Sequence, residues 1–241
     1  MNHKKGSHVG FVISFVLFVA FVFFMYALLS SRINLGQNKQ SSLENVKSEV
    51  IKRVSGNLTT TSVKVNQAAS QSCFHFSGLL NKISAGQNFI VQNYSGNIFT
   101  SYISSDGDIY VSRSGDTIST LFEIYSSGEF PPAATSGPIG CVDLSEGTGY
   151  TIGLSKTESN VFASEIFNLF GNYTQNYSGL KKDIKIPSGD EFGLIFTYSN
   201  GTEIKTPMRN ITLNVYASRI PIQYIKSDAT SESGFINALV W

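Results

Sequence analysis

The chain has 241 residues, a net charge of +1, and charged residues at 15%, against the roughly 25% of ordinary soluble domains. That balance excludes a basic field able to hold nucleic acid by counterion release. With so few charges, the polar surface is built mainly from Ser, Thr, Asn and Gly, as in secreted and cell-surface proteins.

The first predicted element dominates the sequence. Residues Gly10 to Ser30 carry no charge and directly follow Lys4-Lys5-Gly6. A hydrocarbon core about 30 Å thick needs roughly 20 apolar residues as a helix, so this run is long enough to span. A cleaved secretory signal has a shorter apolar stretch, of about 7–15 residues, and a small-residue cleavage site, which Ala27-Leu28-Leu29-Ser30 supplies poorly. An uncut single-pass anchor fits, and so does a precursor cut ahead of the apolar run, at Gly6. Lys4 and Lys5 precede the run, while Arg32 and Lys39 follow it. The positive-inside rule then favours a cytoplasmic N-terminus with the remainder on the outer face.

From Ser41 to Leu58 the apolar residues Leu43, Val46, Val50, Ile51, Val54 and Leu58 recur at spacings that form one helical stripe. Glu44 and Glu49 lie towards the start, and Lys52 and Arg53 towards the end, complementing the helix dipole. Gly36 and the polar Gln37-Asn38-Lys39-Gln40 are where a break or kink would fall. Without one, residues 8–58 make a single rod of about 75 Å, with its outer half built to lie against a head.

Beyond Thr59 the period changes to two. Ile98–Ser104 and Asp108–Arg113 read as strands joined at Asp106-Gly107. Phe192, Leu194, Phe196 and Tyr198 alternate before Asn200-Gly201, with Thr202 to Thr206 as the return strand. Ile211, Leu213, Val215 and Ala217 predict a half-buried strand with Asn210 on its polar side. The run Gly234 to Trp241 is apolar on both faces and is expected between other elements. Two helices interrupt the pattern, one from about Ser159 to Leu169 and a shorter one ending before Ile186-Pro187. The Phe130-Pro131-Pro132 to Pro138 stretch is a loop, because proline cannot donate to a sheet ladder.

The predicted organisation is a basic leader (1–6), a transmembrane and amphipathic helical spine (7–58) and an extracytoplasmic head (59–241). The fold class is α+β: a long N-terminal helix, then a mainly antiparallel β head with a helical insertion near 159–182.

Cys73 and Cys141 are an even pair, which suits a disulfide in an oxidising outer compartment; two buried free thiols are the alternative. Paired, they close a loop of nearly 70 residues, stabilising the fold by about 4 kcal/mol at most in the chain-entropy model. Asn-x-Ser/Thr sequons stand at Asn57, Asn93, Asn172, Asn176, Asn200 and Asn210, where composition alone accounts for about four. They permit an outer location and glycosylation without demanding either.

Catalytic and cofactor motifs do not emerge. His75 stands alone in Ser72-Cys73-Phe74-His75-Phe76, and a Cys/His nucleophile needs a free thiolate beside its base. Metal-ligand spacings such as His-Glu-x-x-His or paired Cys-x-x-Cys are missing, so no metal or cofactor is expected. Asp106-Gly107-Asp108 lacks the rest of a calcium loop and reads as a turn. Gly147-Thr148-Gly149-Tyr150-Thr151-Ile152-Gly153 departs from the dinucleotide fingerprint and reads as a glycine-rich loop entering a strand. Tyr94, Tyr173, Tyr177 and Tyr198 lie among polar residues. They are read as core rims and strand faces, or as a surface for glycans or partner subunits.

The N-terminal quarter resembles an archaeal type IV pilin precursor with a class III signal peptide. The match rests on Lys4-Lys5-Gly6, then Ser7-His8-Val9 and the apolar run, with Leu43–Leu58 similar to the outer half of a pilin spine. The resemblance implies cutting by a prepilin peptidase between Gly6 and Ser7, with Lys5 in the recognised leader. The bilayer and other pilin-like subunits would then be partners. Departures are the Ser7-His8 start, Phe11 where bacterial pilins carry glutamate, and the helical 159–182 block. The expected function is therefore a non-enzymatic, pilin-like or minor pilin-like surface protein used in assembly or adhesion. The alternative is an uncleaved, single-pass tethered module that binds a glycan or protein.

Overall fold

A computed structural model of the protein describes residues 7–66, 71–83, 86, 88–113, 119–135, 137–209, 211 and 214–241. Helix α1 (Ser7–Val54) is 48 residues long and unbroken, about 72 Å at 1.5 Å per residue. It passes through Gly36 and the polar Gln37–Gln40 run without a break, the continuous rod being the one of the two readings that holds; Gln and Lys are good helix formers, and one glycine costs only about 1 kcal/mol. Lys52 and Arg53 occupy its last turn, as the dipole favours.

The helix ends four residues earlier than its apolar spacing predicts. Residues 55–58 already belong to strand β1 (Ser55–Val65). The Ser55 hydroxyl donates to the Ile51 carbonyl at 2.7 Å, closing the last turn. Gly56 and the β-branched Thr59-Thr60-Thr61 then favour extended chain. Leu58 is thus a strand residue, packed in a small cluster with Phe130, Phe162, Ile225 and Ala229.

Strands β2 (Cys73–Phe76), β3 (Phe89–Asn93), β4 (Ile98–Ile103), β5 (Ile109–Ser112), β6 (Leu121–Ser126) and β7 (Val142–Leu144) follow, with a short α2 (Leu79–Ile83) after β2. Then come β8 (Tyr150–Phe162), α3 (Ala163–Gln175), α4 (Tyr177–Asp183), β9 (Phe192–Tyr198), β10 (Glu203–Lys205), β11 (Tyr216–Ile225) and β12 (Ser231–Val240). The strands form one mixed sheet in the order β10-β9-β12-β11-β8-β1-β6-β3-β4-β5-β2-β7. Its neighbours are antiparallel except β8–β11 and β2–β7.

Two cores lie along this sheet. In one, Leu43, Val46, Val50 and Val54 of α1 join α3, α4 and the inner residues of β9, β11 and β12. In the other, the sheet curls on itself. Phe74 and Phe76 of β2 meet Phe122 of β6 edge-on, and Phe76 meets Tyr150 of β8. Period-two pairs such as Val63/Val65, Phe89/Val91, Ile109/Val111 and Phe122/Ile124 supply the buried side.

Both predicted hairpins form, with one shared geometry. Tyr198 donates to Thr202 and Ser104 to Asp108, while Gly201 and Gly107 donate back to Tyr198 and Ser104. In each turn the glycine takes the positive φ, 83° in both cases, which a side chain would strain. Strand β12, expected between other elements, lies between β9 and β11. Pro221 is tolerated within β11 because that strand meets β8 only at Tyr224 and Ile225, leaving an open edge for the residue without an N–H.

Two further predicted boundaries are corrected. Ser159–Phe162 is strand, not helix, because β1 pairs with Ser159–Val161 and β11 with Val161 and Phe162. The helical block is therefore 163–183. The strand expected from Ile211 starts only at Tyr216, which faces Val240 at the end of β12. Ile211 and Val215 are 60% and 46% exposed, while Thr212 and Leu213 of the predicted strand lie outside the described residues.

Candidate functional site

The feature that sets this chain apart is the inner half of α1. Gly10–Leu28 is 19 residues with a mean hydropathy of 2.7, none of it buried in the head. Phe15, Val16, Leu17 and Phe18 are all 59–65% exposed. Four successive residues sweep most of the helix circumference, so every face is apolar. This helix is long and apolar enough to cross a membrane, and its backbone hydrogen bonds are satisfied within itself.

Where α1 meets the head, polar groups fix it. Asp190, only 9% exposed, accepts from the Lys39 ammonium and, at 2.9 Å, from the Ser42 hydroxyl. Arg53 reaches Asp183, the last residue of α4, at 3.2 Å. Burying the Asp190 carboxylate is offset by two charge-assisted partners, both on the helix turn that leaves the head. Sequence reasoning missed Asp190, since nothing local marks a residue 148 positions from its partner as a tether.

Cys73 and Cys141 come together in a disulfide with a Cα–Cα separation of 4.7 Å. They sit one residue ahead of the parallel pairs Phe74–Val142 to Phe76–Leu144 and so clamp the three-residue edge strand β7 to β2. A disulfide sulfur is no nucleophile, and His75 has other partners. Its ring stacks on Tyr110 at 4.3 Å, with Nδ1 2.6 Å from Asp143 and Nε2 3.0 Å from Asp108. Asp108 also takes the Gly78 N–H at 2.6 Å, which ties this cluster to the turn before α2.

The predicted tyrosines divide. Tyr173 and Tyr177 are core, at 0% and 8% exposure; Tyr94 is 73% exposed and Tyr198 half-buried. Beside Tyr177 an open cavity of about 520 Å³ is lined by Lys181, Lys182, Glu191 and Arg209. The Arg209 guanidinium lies 4.4 Å over the Tyr177 ring, and Lys181 pairs with Glu191 at 2.8 Å. Burial would raise the Glu191 carboxyl, but the Lys181 ammonium and Tyr177 hydroxyl outweigh it and hold it below the usual range. Burial and that same carboxylate push the Tyr177 hydroxyl up.

Of the predicted processing residues, Ser7 opens α1, while Lys5 and Gly6 lie outside the described residues. Among the sequons, Asn57, Asn172, Asn176 and Asn200 are exposed. Asn176 caps α4 by accepting from Gly179, and Asn200 accepts from Thr202 in its turn. Asn93 is 3% exposed and its side-chain oxygen takes the N–H groups of Ser95 and Asn97, so it serves a turn. Asn210 lies outside the described residues.

No protein family, curated protein or solved structure matches this chain. Among the described residues, no group of three His, Cys, Asp or Glu side chains is arranged to hold a metal ion. What stands out chemically is one exposed apolar helix, one clamped edge strand and several carboxylate-centred polar clusters.

Proposed function

We propose that this chain is a non-enzymatic, pilin-like surface protein whose head is displayed outside the cell on an N-terminal helix. The observation carrying this reading is the continuity of α1: one helix joins an apolar half that the head does not bury to an outer half seated in its core. The mechanism is packing. Lipid covers the Phe/Val-rich half before assembly, and neighbouring helices of like subunits cover it afterwards. The Lys4-Lys5-Gly6 leader is the recognition site of a prepilin peptidase, which cuts before Ser7.

The test is the intact mass and N-terminal sequence of protein from native membranes. A mature chain beginning at Ser7, with Gly6→Val blocking the cut while leaving the protein in the membrane, supports the proposal. A chain still beginning at Met1 or Asn2 overturns it and leaves an uncleaved, tethered binding module, whose head would be the part to screen for glycan or protein ligands.

A further inference from the structure

Strand β8, like its neighbour β11, pairs along only a short part of one edge. It is 13 residues long, and the seven from Gly153 to Ser159 are all exposed. One edge pairs with β1 along most of its length, but the other meets β11 only at Val161 and Phe162. Among the described residues the outer edge from Thr151 to Asn160 therefore has no strand beside it. An unpaired row of N–H and C=O groups is a template for another strand. The ladder with β1 is regular from Ser155 to Val161, broken by a bulge before it and met by β11 after it. The open, regular stretch is thus Ser155–Asn160.

We propose that this edge pairs antiparallel with the same edge of a second copy, across a two-fold axis at Thr157. The charge pattern selects both occupant and register. Lys156 and Glu158 lie two residues apart on one face, 2.6 Å from each other in the single chain. In a symmetric antiparallel pair the register is defined by the residue on the axis. An axis at Lys156 sets lysine against lysine, and one at Glu158 sets glutamate against glutamate, both destabilising. An axis at Ser155 or Ser159 leaves each charge opposite an uncharged residue. An axis at Thr157 places each Lys156 opposite the other copy's Glu158, twice by symmetry. On the other face it sets Thr157 against Thr157 and Ser155 against Ser159. That continues a hydroxyl ladder already running from β1, in which Thr59 meets Thr157 and Thr61 meets Ser155, both at 2.8 Å. Leu154, 74% exposed at the end of the stretch, comes opposite Asn160 and is covered. Charges that would block strand addition in other registers thus admit it in one. The pairing does not depend on leader cleavage, since a chain that keeps Met1 presents the same edge.

The test uses the full chain in detergent, with Thr157→Cys as the probe; both native cysteines are already bonded to each other. Thr157→Cys should form a disulfide-linked dimer on mild oxidation, well above Thr202→Cys in the exposed β9–β10 turn. Adding Lys156→Glu, or separately Glu158→Lys, should reduce that dimer about tenfold, because both cross-strand pairs become like-charged. Mixing the two charge variants should restore it as a heterodimer, which also shows that each is folded. Equal cross-linking at Thr157→Cys and Thr202→Cys, as dimerisation through α1 alone would give, overturns the proposal. So does a dimer indifferent to the charge changes, or a mixture that fails to recover.

Discussion

The two halves of α1 use similar residues against opposite surroundings. Val16, in the inner half, is 59% exposed and Val50, in the outer half, is 0% exposed. The inner half, Gly10–Leu28, is apolar on every face and is not buried in the head; the outer half is apolar on one stripe, packed with α3, α4 and the β9–β12 strands. The difference teaches what each half depends on. A helix in lipid satisfies its own backbone and needs only apolar side chains around it. In water a helix of this size draws most of its stability from the surface its stripe buries.

The largest expected effect breaks the inner half alone. Leu17→Arg with Phe21→Arg costs roughly 5–7 kcal/mol of insertion, at about 2.5–3.5 per arginine. The double variant should leave carbonate-washed membranes while its head keeps its protease resistance. Retention in the membrane would show that the inner half is not the anchor. Next is a break confined to the head: Cys73→Ser should lower head stability by about 2–4 kcal/mol, read as earlier proteolysis under non-reducing conditions, with membrane association unchanged.

A matched pair sharpens the comparison further. Val50→Ala removes two buried methyl groups and should cost about 2 kcal/mol, lowering the head's Tm by roughly 4–8 °C. Val16→Ala should leave that Tm where it was; equal shifts would mean the two halves are not in different environments. The smallest effect is from acid. Glu191 is held low because Lys181 and Tyr177 outweigh its burial, Asp228 because Thr230 outweighs its burial, and Glu232 by the Tyr224 hydroxyl and Lys226. Carboxyls depressed on folding contribute stability above their ordinary values, near 4, and lose it as pH falls through the lower folded values. Glu129 works in the opposite sense, raised by burial and by its contact with Glu165. Glu203, held low by Lys205, joins the first three, and with four groups against one, Tm should fall between pH 4.5 and 3. Membrane association should not, since Gly10–Leu28 carries no carboxyl group. A Tm that rises over that interval would assign the wrong sign to these clusters.

Elements whose information is local were legible in one dimension. Both halves of α1 follow from hydropathy and spacing, and both hairpins from a glycine that alone accepts φ of 83° without strain. The two apolar faces of β12 implied a place between other elements, and the structure supplies β9 and β11 as those neighbours. Misread segments share one cause. Ser159–Phe162 has helical spacing but is claimed by β1 and β11 together, and the alternation at Ile211–Val215 precedes Tyr216, where its partner β12 runs out. The site features missed are likewise non-local: Asp190 tethering Lys39 and Ser42, Arg209 over Tyr177, and His75 between two aspartates.

By itself, then, the sequence determined which surroundings each half of the long helix needs and where the chain turns, because hydropathy, helical period and glycine's freedom act within a few residues. Only the tertiary structure decided that α1 yields to a strand at Ser55, that Cys73 and Cys141 clamp β7, and that β8 keeps an open edge. Each of those depends on which distant segment arrives as a neighbour, and that is set by how the whole apolar surface is buried at once.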